Sequence, residues 1–311
     1  MATVAEDWED NFDAGLFLNE DYDREPIVLG GELEDGTPLR EIRQDLYLSN
    51  AASTDWDLTG QVVWPVSIFL SYYIARNLEL FAGRRVAELG AGCGLSGLVA
   101  SQFAAGTCLT DGVDVVVRLL ERNAALQKES GTLARPSGPD AEISVAQLLW
   151  GSETSLEAFL ETFGVPEVLI GADVVCWPQY VSLNLSLSPS PSLSLSLGLW
   201  LRPNPEQVKP LVQTTKRLMQ LRHAADPEGP PLVLHLGYVV RALNNHRLFV
   251  NACSEAGLRV AEVPDTAFVP HPRPEHVASN NELQLLTVTF DAAHPRAHEP
   301  VVFDEDSASL E

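Results

Sequence analysis

From Arg85 onward, short apolar runs alternate with longer stretches in which apolar residues return every three or four positions. Runs of the first kind predict strands at Arg85–Leu89, Thr107–Thr110, Glu142–Ala146, Glu167–Ala172, Pro231–Leu236, Leu258–Glu262 and Glu282–Phe290. The second kind predicts helices at Leu95–Phe103, Val113–Gln127, Ser155–Phe163, Glu206–Arg222 and Asn244–Ala256. Ser152 or Thr154 opens the third of these, and Gly257 closes the last. Ahead of the alternation, "WPVSIFLSYYIARNLELF" reads as a helix, with Pro65 in its first turn and apolar residues at Ile68, Phe69, Tyr72, Tyr73 and Leu80. Asp35-Gly36, between short runs, predicts a hairpin before it. Strands alternating with helices of this length imply an α/β fold: a doubly wound, mostly parallel, seven-stranded sheet with an N-terminal hairpin and helix extension. Ligands of such sheets bind at the carboxyl ends of the strands, near the point where strand order reverses.

One segment breaks the pattern. Val181–Trp200, "VSLNLSLSPSPSLSLSLGLW", alternates Ser and Leu. Its period of two fits a strand, but Pro189 and Pro191 are poor in a strand interior, and the segment is a low-complexity repeat. A TC-dinucleotide repeat in DNA reads as Ser-Leu, and a GTGAGT splice donor reads as Val-Ser. Residues 181–205 are therefore read as an insertion, a retained intron or a repeat expansion, foreign to the fold.

Charge divides the chain further. The net charge is −23; residues 1–45 carry 14 acids against 3 bases, and residues 291–311 carry 6 acids against 1 base. Residues 1–35 are expected to be an acidic, disordered arm, 36–290 the folded domain, and 291–311 an acidic tail. Such a chain repels nucleic acid and anionic membranes and accommodates a cationic partner. No apolar run reaches the roughly 20 residues of a membrane span, and the acidic N-terminus lacks the features of a secretory signal. Cys93, Cys108, Cys176 and Cys253 form no C-x-x-C pair, so no metal site is suggested and reduced thiols are expected. These features point to a monomer of the cytoplasm, with the nucleus as a second compartment.

The candidate chemistry gathers at "VAELGAGCGLSG", Val86–Gly97. Gly92, Gly94 and Gly97 fit the dinucleotide pattern G-x-G-x-x-G. Gly90, Gly92 and Gly94, with Glu88 ahead of them, fit a loop for S-adenosylmethionine (SAM). Asp111, at the end of the second strand, suits the two hydroxyls of a ribose in either ligand. Trp150 after the third strand can stack on an adenine or simply pack in the core. Asp173, at the end of the apolar run "LIGADVVCW", faces the cleft or caps a succeeding helix. The acids Glu88, Asp111 and Asp114 disfavour a pyrophosphate and suit a sulfonium cation, which favours SAM over NAD.

Six stretches in order carry a resemblance: "TGQVVWPVSIFLSYYI", "VAELGAGCGLSGLVA", "LTDGVDVVVRLLERNAAL", "LLWG", "LIGADVVCW" and "GLRVAEV". Over roughly Leu39 to Phe290 the chain resembles the seven-strand, SAM-dependent, methyltransferase-like protein-lysine methyltransferases, whose substrates are non-histone proteins such as chaperones and translation factors. The resemblance implies a Rossmann-like methyltransferase sheet and SAM as cofactor. It implies that Gly90, Gly92 and Gly94 admit SAM to the backbone, that Glu88 lies under the loop, that Asp111 holds the ribose and that Trp150 packs on the adenine. Trp64 would lie near the ligand, and Ala172 and Asp173 at the methyl-transfer site. The family's D-x-x-Tyr motif reads here Asp173 to Cys176, with Trp177 following; these three are the candidate catalytic residues. Tyr238 and Arg241 are further candidates near the substrate. Another methyl acceptor (arginine, histidine or a small molecule) and a non-catalytic SAM-fold binding module remain as alternatives.

Overall fold

The computed structural model describes residues 22–49, 60–130, 142–175, 205–240, 243–278 and 282–303. Two strands, β1 (Tyr22–Glu32) and β2 (Pro38–Ser49), form an antiparallel hairpin. Its turn is built on the expected dipeptide: Gly36 takes a positive φ of 80°, and the Asp35 side chain accepts from Thr37 N. Helix α1 (Pro65–Arg76) follows, with Pro65 where its missing N–H is no loss.

The main sheet contains β3 (Arg85–Glu88), β4 (Gly106–Asp111), β5 (Glu142–Gln147), β6 (Val168–Ala172), β7 (Val233–Val239), β8 (Leu258–Val263) and β9 (Leu283–Phe290). Their spatial order is β5-β4-β3-β6-β7-β9-β8. The first five strands are parallel; β9 runs antiparallel to both β7 and β8. Six helices connect or flank them: α2 (Leu95–Ser101), α3 (Asp114–Ser130), α4 (Glu153–Phe163), α5 (Pro205–Ala225), α6 (Leu243–Glu255) and the single turn α7 (Glu275–Ala278). This is the seven-stranded, mostly parallel sheet expected from the alternation.

Side chains along each strand alternate between two cores, as a pleated sheet with both faces covered requires. Val86, Leu109, Val168 and Ile170 join the hairpin and α1–α3 in one cluster. Ala87, Leu89, Cys108 and Leu169 join α4–α6 in the other. The chain steps outward from β3 through β4 to β5, then returns to β6 on the other side of β3. Strand order therefore reverses between β3 and β6, and their carboxyl ends open the crevice where the glycine loop lies.

Two expectations about the ends of the chain are corrected. Strand β1 reaches back to Tyr22, inside the stretch expected to be a disordered arm, because pairing along β2 satisfies its backbone. Residues 291–303, expected to belong to an acidic tail beyond the folded domain, pack against α5. Lys216 Nζ donates to Arg296 O at 2.7 Å, Gln220 donates to Ala297 O and Glu299 O at 2.8 Å, and Gln213 donates to Val302 O at 2.7 Å. The Ser/Leu insertion, apart from Pro205 at the start of α5, lies outside the described residues, as do residues 1–21 and 304–311.

Candidate cofactor and methyl-transfer site

The loop between β3 and α2 turns on three left-handed glycines, with φ of 61° at Gly90, 56° at Gly92 and 85° at Gly94. A Cβ at Gly90 would lie 2.8 Å from Val174 and 3.2 Å from the Trp150 ring, and one at Gly94 would lie 2.8 Å from Leu120. Both conformation and space therefore demand glycine. The loop is pinned to its neighbours: Leu89 N donates to Ile170 O on β6, and Ala91 N to Thr110 O on β4.

Two carboxylates hold this loop. Glu88 is 1% exposed and accepts from Gly97 N at 2.8 Å, under the start of α2. Burial pushes its pKa up to about 8; the bonds from Gly97 and Ser96 pull the other way, and neighbouring Asp111 adds to the rise. Asp111 accepts from Gly92 N with one oxygen and from Val113 N with the other, both at 3.1 Å. Its pKa is also raised, first by burial, against the pull of backbone N–H groups from Val113, Gly92 and Gly112. With these N–H groups bound, the Asp111 carboxylate keeps acceptor capacity for a further donor. Cys93, inside the loop, is buried, and burial lifts its thiol to about 12, which removes it as a nucleophile.

The remaining expected residues surround this loop. Trp150 is half-buried: it packs on the α4–α6 core, and its ring edge faces Gly90, so one indole serves both as packing and as a wall of the loop. Trp64 sits at the N-terminal boundary of α1; its carbonyl accepts from Ser67, whose own carbonyl accepts from Ser96 at the start of α2. Ala172 ends β6 opposite Gly237. Asp173 follows with φ of 60°, among the described residues the one non-glycine at positive φ. It is 7% exposed, and its N–H donates to Gly237 O at 2.9 Å. A left-handed Asp at a strand end is a strained arrangement of the kind found at functional sites. Cys176, Trp177 and Arg241 lie outside the described residues. Tyr238 is 1% exposed, with its ring against His246.

Three further residues matter that sequence reasoning misses. Leu149 is a large apolar side chain left 37% exposed, beside Gly112 at the Asp111 strand end. Its exposure between buried Leu148 and half-buried Trp150 has no clear sequence signal. Asn123 is buried and bonds to the loop itself. His235 lies between Tyr73 and Phe81, accepts or donates at Tyr73 Oη (3.1 Å), and is held near pKa 4 by burial. It is a neutral core histidine.

Residues 43–185 match the lysine methyltransferase family. Protein-lysine N-methyltransferase EEF2KMT of Mus musculus is 26% identical over 243 residues, 76% of this chain and 60% of that protein. Protein N-lysine methyltransferase METTL21A of Danio rerio is 31% identical over 127 residues, 40% of this chain and 52% of its own. A calmodulin-lysine N-methyltransferase of Arabidopsis thaliana is 30% identical over 139 residues, 44% of this chain and 41% of its own. The chain thus spans between two fifths and three fifths of the length of these relatives. The matched stretch holds the glycine loop, Asp111, Trp150 and Asp173, the residues that the geometry brings to the crevice. Among the described residues, no helix is long and apolar enough to cross a membrane, and no cluster of three potential ligands could hold a metal ion.

Proposed function

We propose that this chain binds SAM between the glycine loop and Asp111 and transfers its methyl group to a lysine side chain of a non-histone protein. The observation that carries the reading is the convergence of the left-handed glycine loop, Asp111 and Asp173 on the carboxyl ends of adjacent strands at the reversal of strand order. The residues fit the cofactor. A glycine-rich loop, with Ala91 and buried Cys93 between its glycines, lets a ligand approach its backbone. Asp111 keeps acceptor capacity for a ribose hydroxyl, and exposed Leu149 offers an apolar surface beside them. Asp111 beside the loop disfavours a diphosphate and tolerates a sulfonium, which argues against a dinucleotide. Glu88, buried and raised to about 8, serves the loop's own backbone. The named relatives, each a lysine methyltransferase, support the choice of acceptor.

When bound, SAM supplies a methyl already activated on sulfur, so the protein's task is to position the acceptor and exclude water. A lysine ammonium has an ordinary pKa of about 10.4, so neutralising it at pH 7 costs roughly 4–5 kcal/mol. Partial burial beside a cation lowers that cost. Asp173, fixed to β7 through its own N–H, would orient the incoming amine, with Cys176 and Trp177 downstream of it. The net charge of −23 supports a protein rather than a nucleic-acid partner, and the buried free thiols Cys93, Cys108 and Cys253 support a reducing compartment, the cytoplasm or nucleus. We read the chain as a monomeric enzyme.

The test is incubation with labelled SAM and a lysate of the same species, followed by mass spectrometry of the labelled proteins. The expected product is methyl-lysine on a non-histone protein. Asp173→Gly, which a left-handed backbone accepts without strain, should abolish labelling while binding of S-adenosylhomocysteine (SAH) persists. Label on arginine, histidine or a small molecule would reassign the acceptor. SAH binding with no labelled product would leave a binding module.

A further inference from the structure

Asn123 lies on α3 and is wholly buried, at 0% exposure. Its side-chain oxygen accepts from Tyr47 N at 2.6 Å, and its amide nitrogen donates to Tyr47 O at 3.1 Å. It therefore completes the outer edge of β2 as a third strand would. The same nitrogen donates to Cys93 O at 2.9 Å, inside the glycine loop between Gly92 and Gly94. Two residues further along β2, Ser49 N donates to Gln61 O at 3.0 Å. Gly60, just before Gln61, lies so near the loop that a Cβ on Gly92 would be 3.1 Å from its carbonyl oxygen. The hairpin, which is no part of the main sheet, is thus linked to the loop at two consecutive residues, to Cys93 through Asn123 and to Gly92 through Gly60–Gln61.

Gln44 provides the contrast. It is buried as well; its amide nitrogen donates to Gln127 Oε1 at 2.9 Å, and its oxygen accepts from Gln102 at 3.1 Å. It ties the hairpin to α3 and to the residue after α2, and its hydrogen bonds do not reach the loop. Both side chains fasten the hairpin, but only Asn123 extends the fastening to Cys93 O.

We propose that Asn123 is a positioning residue for the cofactor loop: it fixes the Cys93 carbonyl, and with it the left-handed glycines on either side, using the hairpin as the anchor. The proposal rests on the SAM-binding reading above. Asp111 holds the loop by Gly92 N, and Asn123 holds it one residue later by Cys93 O. A loop clamped from both sides is ordered before the cofactor arrives, so binding does not have to supply the ordering entropy. Coupling is reciprocal: a cofactor that steadies the loop must steady Tyr47 to the same degree.

The experiment measures SAH affinity by calorimetry and thermal unfolding without ligand for the full chain and for Asn123→Ala and Gln44→Ala. Both substitutions should lower the melting temperature. Asn123→Ala should weaken SAH binding at least tenfold, and Gln44→Ala should stay within threefold of wild type. Equal weakening in the two, or unchanged affinity in Asn123→Ala, overturns the proposal. Amide exchange of the wild-type chain gives a second reading that does not depend on a variant folding. Saturating SAH should slow exchange at Tyr47 as well as at the loop; slowing confined to the loop overturns the proposal. A wild-type chain that binds no SAH overturns the cofactor reading and this proposal together.

Discussion

The hairpin and α1–α3 cover one face of the sheet; α4–α6 cover the other, and the two faces are filled with different chemistry. On the first, Gln44, Glu88, Asn123, Gln127 and His235 are buried among the apolar side chains, and each has a hydrogen bond to a named partner. On the second, the filling is mostly apolar: Leu156, Phe159, Phe163, Leu211, Val212, Leu234 and Phe249. The buried polar groups Thr214 and Lys216 of α5 bond there to Gly151 N and Arg296 O, rather than to the glycine loop. Burying a polar group is unfavourable unless it is bonded, and the bond returns only part of the loss. The first face carries that disadvantage where backbone groups of the glycine loop need partners, so directional bonds there set loop geometry. Non-directional packing on the second face supplies stability.

That contrast predicts which measurements each substitution moves. The largest expected effect is on stability alone. Phe159→Ala, at a fully buried ring beside Phe163, should cost about 3–5 kcal/mol in urea unfolding; with the chain still folded, SAH affinity should hold. Selective loss of affinity would break the division between the faces. Next is Glu88, whose pKa is raised in the folded chain to about 8. A carboxyl raised by folding contributes stability below its unfolded pKa of about 4.3 and loses it as pH rises through the folded value. Glu88 alone should therefore lower wild-type stability by a few kcal/mol between about pH 4 and 8, at most about 1.4 kcal/mol for each step of one in pH. Asp111 adds a contribution of the same sign. Glu88→Gln should flatten the profile, and an unaltered slope in unfolding curves taken across that range would remove the assignment.

Asp111→Ala should weaken SAH binding by about 1.5–3 kcal/mol, since on the proposed reading it removes charge-assisted bonds to the ribose as well as an anchor of the loop. Unchanged calorimetric affinity would deny Asp111 both roles. The smallest effect returns to the apolar face. Ser152 caps α4 by accepting from Ser155 N at 3.2 Å, and Ser152→Ala should lower stability by about 1 kcal/mol with no change in SAH binding.

The sequence announces whatever depends on neighbours in the chain. The seven strands and the helices between them follow from apolar periodicity, and Ser152 and Gly257 stand where helix ends need them. Gly90, Gly92 and Gly94 are recognisable because only glycine adopts their turns cheaply. Features that depend on distant partners stay hidden. Asn123 and Gln127 carry no signal in the helix pattern, because their partners Tyr47 and Gln44 lie some 80 residues earlier, in the hairpin. His235 carries no signal within its strand; its partner Tyr73 lies on a distant helix. Asp173 is recognisable by its place at a strand end, while its left-handed backbone is held by the bond to Gly237 on the next strand. The packing of 291–303 is invisible because a stretch rich in His, Pro and charge shows no periodicity.

That last stretch is held in an unusual way. Gln213, Lys216 and Gln220 of α5 all grip it by main-chain carbonyls, at Arg296, Ala297, Glu299 and Val302. A carbonyl is the same whatever side chain stands beside it, so selection on these four bonds falls on the helix and scarcely on the residues whose carbonyls it holds. Positions 296, 299 and 302 are thus free to drift in identity and charge over evolutionary time without loosening the attachment. Ala297 is the exception. It is fully buried, and its backbone and methyl lie where any side chain at Gly257 would have to go. Related chains should therefore keep a small residue at 297 opposite a glycine at 257 and vary more at 296, 299 and 302.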